Sequence, residues 1–264
     1  MTGSWLKVLD GSALAEDAVE DVIRKGMAEA KVLRIVGMKP KGDPLAFWGE
    51  KGKVTGAPAV VLESSDGAII PADAGWMDVR FEPDRPDTYR HANVGQPMHT
   101  DGAYSDDGQD IGLFFLERQA ESGGESLMID AETIAERLSK TDPDLLERLF
   151  STTVRFGKGE AGRIAPILVR QGERLKIHWN WFRVLPGQGE AVDKLREDFR
   201  AALEDMVEDG TVAAFRLQPG DAVFFRDDEV LHGRKAYAAK VSGDRLLWKT
   251  YFVSDPARAR THAA

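Results

Sequence analysis

Two apolar patterns alternate along the chain, one recurring every three or four positions and one formed by runs of branched and aromatic residues. Residues 14–30 set Leu14, Ala18, Val22, Ile23 and Met27 at helical spacing, which predicts an amphipathic helix. VLRIV at 32–36 and APAVVLES at 57–64 are dense in Val and Ile with Gly or Pro nearby, and predict strands. A second helical zone covers about 130–150, with Asp130 as its cap and Pro143 opening a new helix. Strand-like segments follow at 152–156, 164–169 and 174–182. The segment at 188–208 carries the strongest helical pattern, within a helical insertion at 183–210. TVAAFRLQ, AVFFR, VLHGR and RLLWKTYFV then supply short strands to the C-terminus. This succession predicts a β-sandwich or barrel decorated by helices, not alternating βαβ units. Nothing between 57 and 253 reads as a linker, so one domain over residues 1–264 is expected. Residues 37–56, rich in Gly, Lys and Pro, read as a mobile surface loop long enough to act as a lid.

Charge and composition narrow the function classes. Asp and Glu number 44 against 35 Lys and Arg, a formal net charge of −9. Such diffuse acidity opposes nonspecific binding to nucleic acid, which depends on clustered cations displacing counterions. No run approaches the roughly 18 apolar residues of a membrane span. The first residues, MTGSWLKVLDGSALAEDAVED, have no apolar signal core, so a cytoplasmic protein is expected. Cysteine is absent. That removes disulfides, thiolate nucleophiles and cysteine-held metals together, and leaves imidazole and carboxylate as the only strong metal ligands.

Five histidines make a short list of ligands. His99 and Asp101 stand two apart in QPMHTDGAY, and in an extended strand such residues project from the same face. His232, in LQPGDAVFFRDDEVLHGRKAY, sits just before Gly in a β-rich segment. Two imidazoles and one carboxylate form a facial triad with open positions, typical of non-haem Fe(II) oxygenases. Zinc hydrolases also use such a set, so the ligands alone do not choose between redox chemistry and hydrolysis.

A cosubstrate site would decide. Arg245 falls in GDRLLWKTYFV, where a buried guanidinium needs an anionic partner and suits a two-bonded grip on a carboxylate. Lys249, four residues on, would share its side of the strand. In GGESLMID, two glycines permit a tight turn and Ser126 places a small hydroxyl at the start of a strand.

HTDGAY, GGES, PGDAVFFRDDEVLHGR and RLLWKTYF, in this order over roughly residues 90–253, resemble the taurine dioxygenase and clavaminate synthase-like group of Fe(II)/2-oxoglutarate oxygenases. The resemblance implies a mainly β fold with flanking helices around a double-stranded β-helix, or jelly-roll, core. It implies that His99, Asp101 and His232 bind Fe(II), that Arg245 clamps the distal carboxylate of 2-oxoglutarate, and that Ser126 assists there. Lys249 stands where the family often has a second Arg, and Ser126 where Thr is commoner. The implied reaction consumes O2, converts 2-oxoglutarate to succinate and carbon dioxide, and hydroxylates an unactivated C–H bond. Asp101, which related halogenases lack, implies oxygenation and not halogenation.

The substrate pattern is thinner. Alternation along KIHWNWFRV would set His178, Asn180 and Phe182 on one face and Trp179 and Trp181 on the other, with Asn180 or Trp181 lining the pocket. Tyr104 and Asp106 begin the loop YSDDGQD, whose three Asp residues suit an ammonium or guanidinium, hence a basic amino acid or an amine. Arg90, Gln96 and Arg155 would instead suit a substrate carboxylate or sulfonate. The alternatives are the same cofactor chemistry ending in desaturation, cyclisation or bond cleavage, a cupin-like zinc hydrolase or lyase, and a non-catalytic jelly-roll binding module.

Overall fold

The structure is a computed structural model that describes residues 5–59, 61–62, 69–70, 75–85, 89–104, 109–158 and 161–255. Its frame is two β-sheets. In the larger, the spatial order is Leu6–Asp10, Val32–Val36, Ala222–Arg226, Ile111–Arg118, Leu246–Val253 and Ala57–Pro58, with Met77–Arg80 also pairing onto Leu246–Val253. The smaller runs Ala213–Phe215, Ser126–Asp130, Val230–Arg234 and Gln96–His99.

Period-two alternation explains the layers. Val223 and Phe225 pack with Phe114, Leu116, Met128, Val230 and Leu247, a cluster that draws on both sheets. Ala222 and Phe224, which alternate with them along the strand, belong to a second cluster with Val19, Ile23, Trp48 and Phe252. Leu127, Ile129 and Leu231 of the smaller sheet meet the helices Ala131–Thr141, Pro143–Ser151 and Glu190–Glu208. A central apolar layer between two sheets, with helices outside, is the jelly-roll arrangement the motifs imply.

Local chemistry sets the helix starts. Asp130 accepts from the Thr133 N–H at 3.1 Å and caps the first of these helices. Asp142 accepts from the Leu145 N–H at 2.9 Å, with Pro143 at the first helical position. Among the described residues no helix is long and apolar enough to cross a membrane.

Three segments differ from expectation. Within 37–56, the supposed mobile loop, Pro44–Gly52 is a helix capped by Asp43, followed by a turn of 3-10 helix at Lys53–Thr55. Trp48 is fully buried and meets Phe224 edge-on at 6.1 Å, so this segment is anchored to the sheet. The strand expected over 174–182 ends at Ile177, and Trp181–Arg183 forms a 3-10 turn. Ile111–Arg118, a continuous apolar run which the sequence reading passes over, lies centrally in the larger sheet. Burial on both faces removes the alternation that would announce a strand.

Candidate active site

Antiparallel pairing of Gln96–His99 with Val230–Arg234 puts His99 directly opposite His232. Their ring centroids are 4.3 Å apart, and both rings are buried. Asp101 lies beyond the strand end, in a turn, and not on the strand face that its two-residue spacing suggested. The turn is pinned from behind: Asp227 accepts from the backbone N–H groups of Asp101 at 3.1 Å and Gly102 at 2.8 Å. Asp101 Oδ1 is thereby 3.6 Å from His99 Nε2 and Oδ2 is 3.2 Å from His232 Nε2. Ligand atoms of the three residues lie within 4.8 Å of one another.

The protonation states suit a metal. His99 Nδ1 is 2.9 Å from the Pro97 carbonyl, which can only accept, so Nδ1 carries the proton and Nε2 offers a lone pair. Burial pushes His232 down to about 4, with the neighbouring His99 adding to the effect, so its imidazole is neutral at pH 7. Burial would raise Asp101, but Lys249 and His232 beside it hold it well below the usual carboxylate range. Burial, then the charge of Asp101, pushes Asp227 up to about 7. Two imidazoles and an ionised carboxylate, gathered on buried elements, fit a divalent cation.

The triad opens into a cavity of about 370 Å³, within the range of small-molecule sites. Arg245 lines it, is 2% exposed, and its Nε is buried with no hydrogen-bond partner. Burial pushes this guanidinium down to about 9, Arg234 and Arg216 push the same way, and Tyr237 opposes them. It remains a cation at neutral pH. Ser126 lines the same cavity at the start of its strand. The paired glycines before it have a physical reason: Gly123 and Gly124 both have φ of +72°, and a Cβ on Gly124 would sit 3.2 Å from Arg245 Nε.

Of the remaining expected residues, Gln96, Asn180 and Trp181 line the cavity. Gln96 Nε2 reaches to 3.2 Å from His99 Nε2, and Asn180 Oδ1 accepts from the Phe182 N–H at 3.1 Å. Lys249 lines it too, yet its Nζ is 3.3 Å from Asp101 Oδ1, so its charge serves the triad carboxylate. Tyr104 is buried beneath Lys158 and Arg183. Arg155 is a correction: it is exposed, outside the cavity, because Val154 and Phe156 on either side point into the core. Arg90 lines the cavity but is engaged by Asp78. His178 does not share the cavity with Asn180; its Nδ1 is 2.7 Å from Arg163 in another pocket. Asp106 lies outside the described residues. Sequence reading missed Tyr251, whose hydroxyl donates to Asp101 Oδ2. It stands two residues after Lys249, and that spacing was the available signal. Asp227, in the DDE turn before His232, was also missed.

The description "Taurine catabolism dioxygenase TauD, TfdA family" matches residues 9–251. The chain belongs to this family. It is therefore an Fe(II)/2-oxoglutarate-dependent dioxygenase. This dioxygenase is 26% identical over 206 residues to an uridine-5'-phosphate dioxygenase of Amycolatopsis sp, covering 69% of this chain and 70% of that one. A Streptomyces sp uridine-5'-phosphate dioxygenase is 23% identical over 184 residues, with 64% of this chain matched. The chain spans 65% of the Streptomyces protein's length. Among solved structures, an asparagine oxygenase in complex with Fe(II), 2S,3S-3-hydroxyasparagine and succinate superposes with a TM-score of 0.75. That match has 15% identity and covers 97% of this chain and 96% of the other, which establishes a shared fold.

Proposed function

We propose that this dioxygenase hydroxylates a C–H bond of a small polar substrate, with His99, Asp101 and His232 holding Fe(II) and Arg245, aided by Ser126, receiving the distal carboxylate of 2-oxoglutarate. The observation that carries the reading is Arg245: a buried guanidinium, lining the triad's cavity, whose Nε has no hydrogen-bond partner. An unpaired charge in such surroundings is costly, and a planar carboxylate is the ligand its fork accepts.

Fe(II) with 2-oxoglutarate bound supplies O2 activation and the oxidising equivalent for C–H cleavage. The chain's own residues do the rest. The Pro97 carbonyl fixes the His99 tautomer, and Lys249 and Tyr251 hold one oxygen each of Asp101. Phe114 and Phe225 pack against the His232 ring at 5.3 and 5.1 Å, which orients it and keeps water from its flank. The zinc hydrolase reading gives Arg245 no role, and the binding-module reading leaves the complete triad without one.

Similarity to uridine-5'-phosphate and asparagine oxygenases supports a small polar substrate. The test is turnover under ¹⁸O2 with a panel of amino acids, amines and nucleotides. Hydroxylation puts label in both succinate and product; label in succinate alone identifies desaturation or cyclisation. No substrate-stimulated succinate from any compound contradicts the reading.

A further inference from the structure

The two triad histidines are steadied by different means. A neutral imidazole that offers Nε2 to a metal carries its proton on Nδ1, and that N–H needs an acceptor when it is buried. For His99 the acceptor is the Pro97 carbonyl, 2.9 Å away on its own strand. His232 has no main-chain acceptor of this kind. Its Nε2 faces the triad, 3.2 Å from Asp101 Oδ2, while its Nδ1 is buried with no hydrogen-bond partner. Among the described residues the acidic atom facing Nδ1 is Asp227 Oδ1, at 3.6 Å, a few tenths of an ångström beyond bonding distance. Phe114 and Phe225 flank the ring and limit its rotation.

Asp227 is itself held in place. It is 1% exposed, and its backbone N–H donates to the Asp110 carbonyl at 2.9 Å. It follows the strand Ala222–Arg226 and precedes His232 by five residues, so one short turn carries the carboxylate and the imidazole. The same carboxylate reaches the third ligand through its backbone: Oδ1 accepts from the Asp101 N–H and Oδ2 from the Gly102 N–H. Gly102 fits this closeness, since a Cβ there would lie 3.3 Å from Asp227 Oδ2 and 3.2 Å from the Gln109 carbonyl. Among the described residues no Lys or Arg pairs with Asp227. An ionised carboxylate with two backbone donors engaged keeps acceptor capacity for a third N–H.

We propose that Asp227 is the positioning residue for two of the three ligands. It takes the Nδ1–H of His232, which leaves the Nε2 lone pair for the metal, and it holds the turn that carries Asp101. The proposal rests on the iron reading above and goes beyond it by assigning the acceptor that orients His232. HTDG and RDDEVLH, far apart in sequence, then meet at one carboxylate.

The experiment loads ¹⁵N-labelled protein with Zn(II), a diamagnetic probe for the same ligands, and follows imidazole and backbone N–H exchange by NMR. Parent, Asp227→Ala and Asp227→Asn are compared, with the His232 signals assigned by their loss in His232→Gln. In the parent, the His232 Nδ1–H and the amides of Asp101 and Gly102 are expected to exchange slowly with water. In Asp227→Ala all three exchange about tenfold faster or more, and Fe(II) affinity falls about 10- to 100-fold. Asp227→Asn keeps one acceptor oxygen for three donors and falls between the two; it carries the comparison if the alanine variant does not fold. A brace for the turn alone would release the two amides and leave the His232 proton as in the parent, and that result overturns the proposal. Parental Fe(II) affinity in Asp227→Ala overturns it as well. A parent in which Zn(II) leaves the His99 and His232 signals unmoved contradicts the iron reading instead.

Discussion

Lys249 Nζ lies 3.3 Å from Asp101 Oδ1, so the last core strand supplies the counter-charge for the triad's carboxylate. Tyr251, two residues along that strand, donates to the other oxygen. Arg245 immediately precedes the same strand. One strand end therefore organises both the proposed iron ligand and the proposed cosubstrate clamp, and the Lys249 contact groups it with the first.

Replacing Lys249 tests that division. Lys249→Met keeps most of the side-chain volume and removes the charge beside Asp101. Fe(II) affinity is expected to fall about 10- to 100-fold, the range for losing an outer partner of a metal ligand. Tyr251→Phe should act in the same direction and more weakly. Parallel titrations of Fe(II) and 2-oxoglutarate check this; a loss confined to 2-oxoglutarate would place Lys249 on the cosubstrate.

The triad itself makes a sharper case. His99→Ala and His232→Ala are expected to abolish Fe(II) binding and turnover while the far-ultraviolet circular dichroism spectrum stays that of the parent. Asp101→Gly should also abolish hydroxylation, since it removes one ligand and strands Lys249 beside the gap. Parental activity in any of the three would remove that residue from the ligand set.

The motifs were legible in the sequence because each couples a turn to a strand. PGD before AVFFR, and GGES opening SLMID, announce where strands start, and His232 and Ser126 fall at fixed offsets from those turns. The pairing of His99 with His232 was not legible, because register between segments more than a hundred residues apart depends on the whole sheet. Asp101 shows the same limit: it reaches the two histidines from a turn, and not through the strand geometry that its spacing suggested. Residues 37–56 misled through composition, since Gly, Lys and Pro suggested a loop while Asp43, Pro44 and Trp48 encode a cap, a helix start and a buried anchor. In KIHWNWFRV the alternating pattern ran past the true strand end, because the turn at Asn180 is closed by its own side chain.

Gly124 offers a test of the clamp from the backbone side. With φ of +72° and Arg245 Nε only 3.2 Å from where a Cβ would stand, Gly124→Ala both strains the turn and crowds the guanidinium. A stability loss of about 1 kcal/mol or more is expected from the backbone conformation. A raised 2-oxoglutarate requirement should accompany it. Chemical denaturation and a cosubstrate titration check the two effects separately, and an unchanged requirement would mean that the turn does not position Arg245.

His178 predicts a pH dependence of stability. Burial, with Arg163 close by, pushes it from its ordinary 6.5 down to about 3, so it is neutral in the fold. A depressed pKa makes its contribution complete above 6.5 and progressively lost as pH falls toward 3, because the unfolded chain takes up the proton first. At pH 5 the loss from this group is about 2 kcal/mol. His178→Asn keeps an acceptor for Arg163 and removes the titration, so its denaturation midpoint should fall less between pH 7 and pH 5 than that of the parent. Identical falls in the two proteins would contradict the assignment.

The most direct test is anaerobic addition of Fe(II) and 2-oxoglutarate to the metal-free protein, with and without Arg245→Gln. A visible charge-transfer band is expected in the parent at one equivalent of each. In the variant the same band should require at least tenfold more 2-oxoglutarate, with Fe(II) binding retained. A protein that binds Fe(II) and shows no band at any 2-oxoglutarate concentration, or a variant that forms it as readily as the parent, would contradict Arg245 as the cosubstrate clamp.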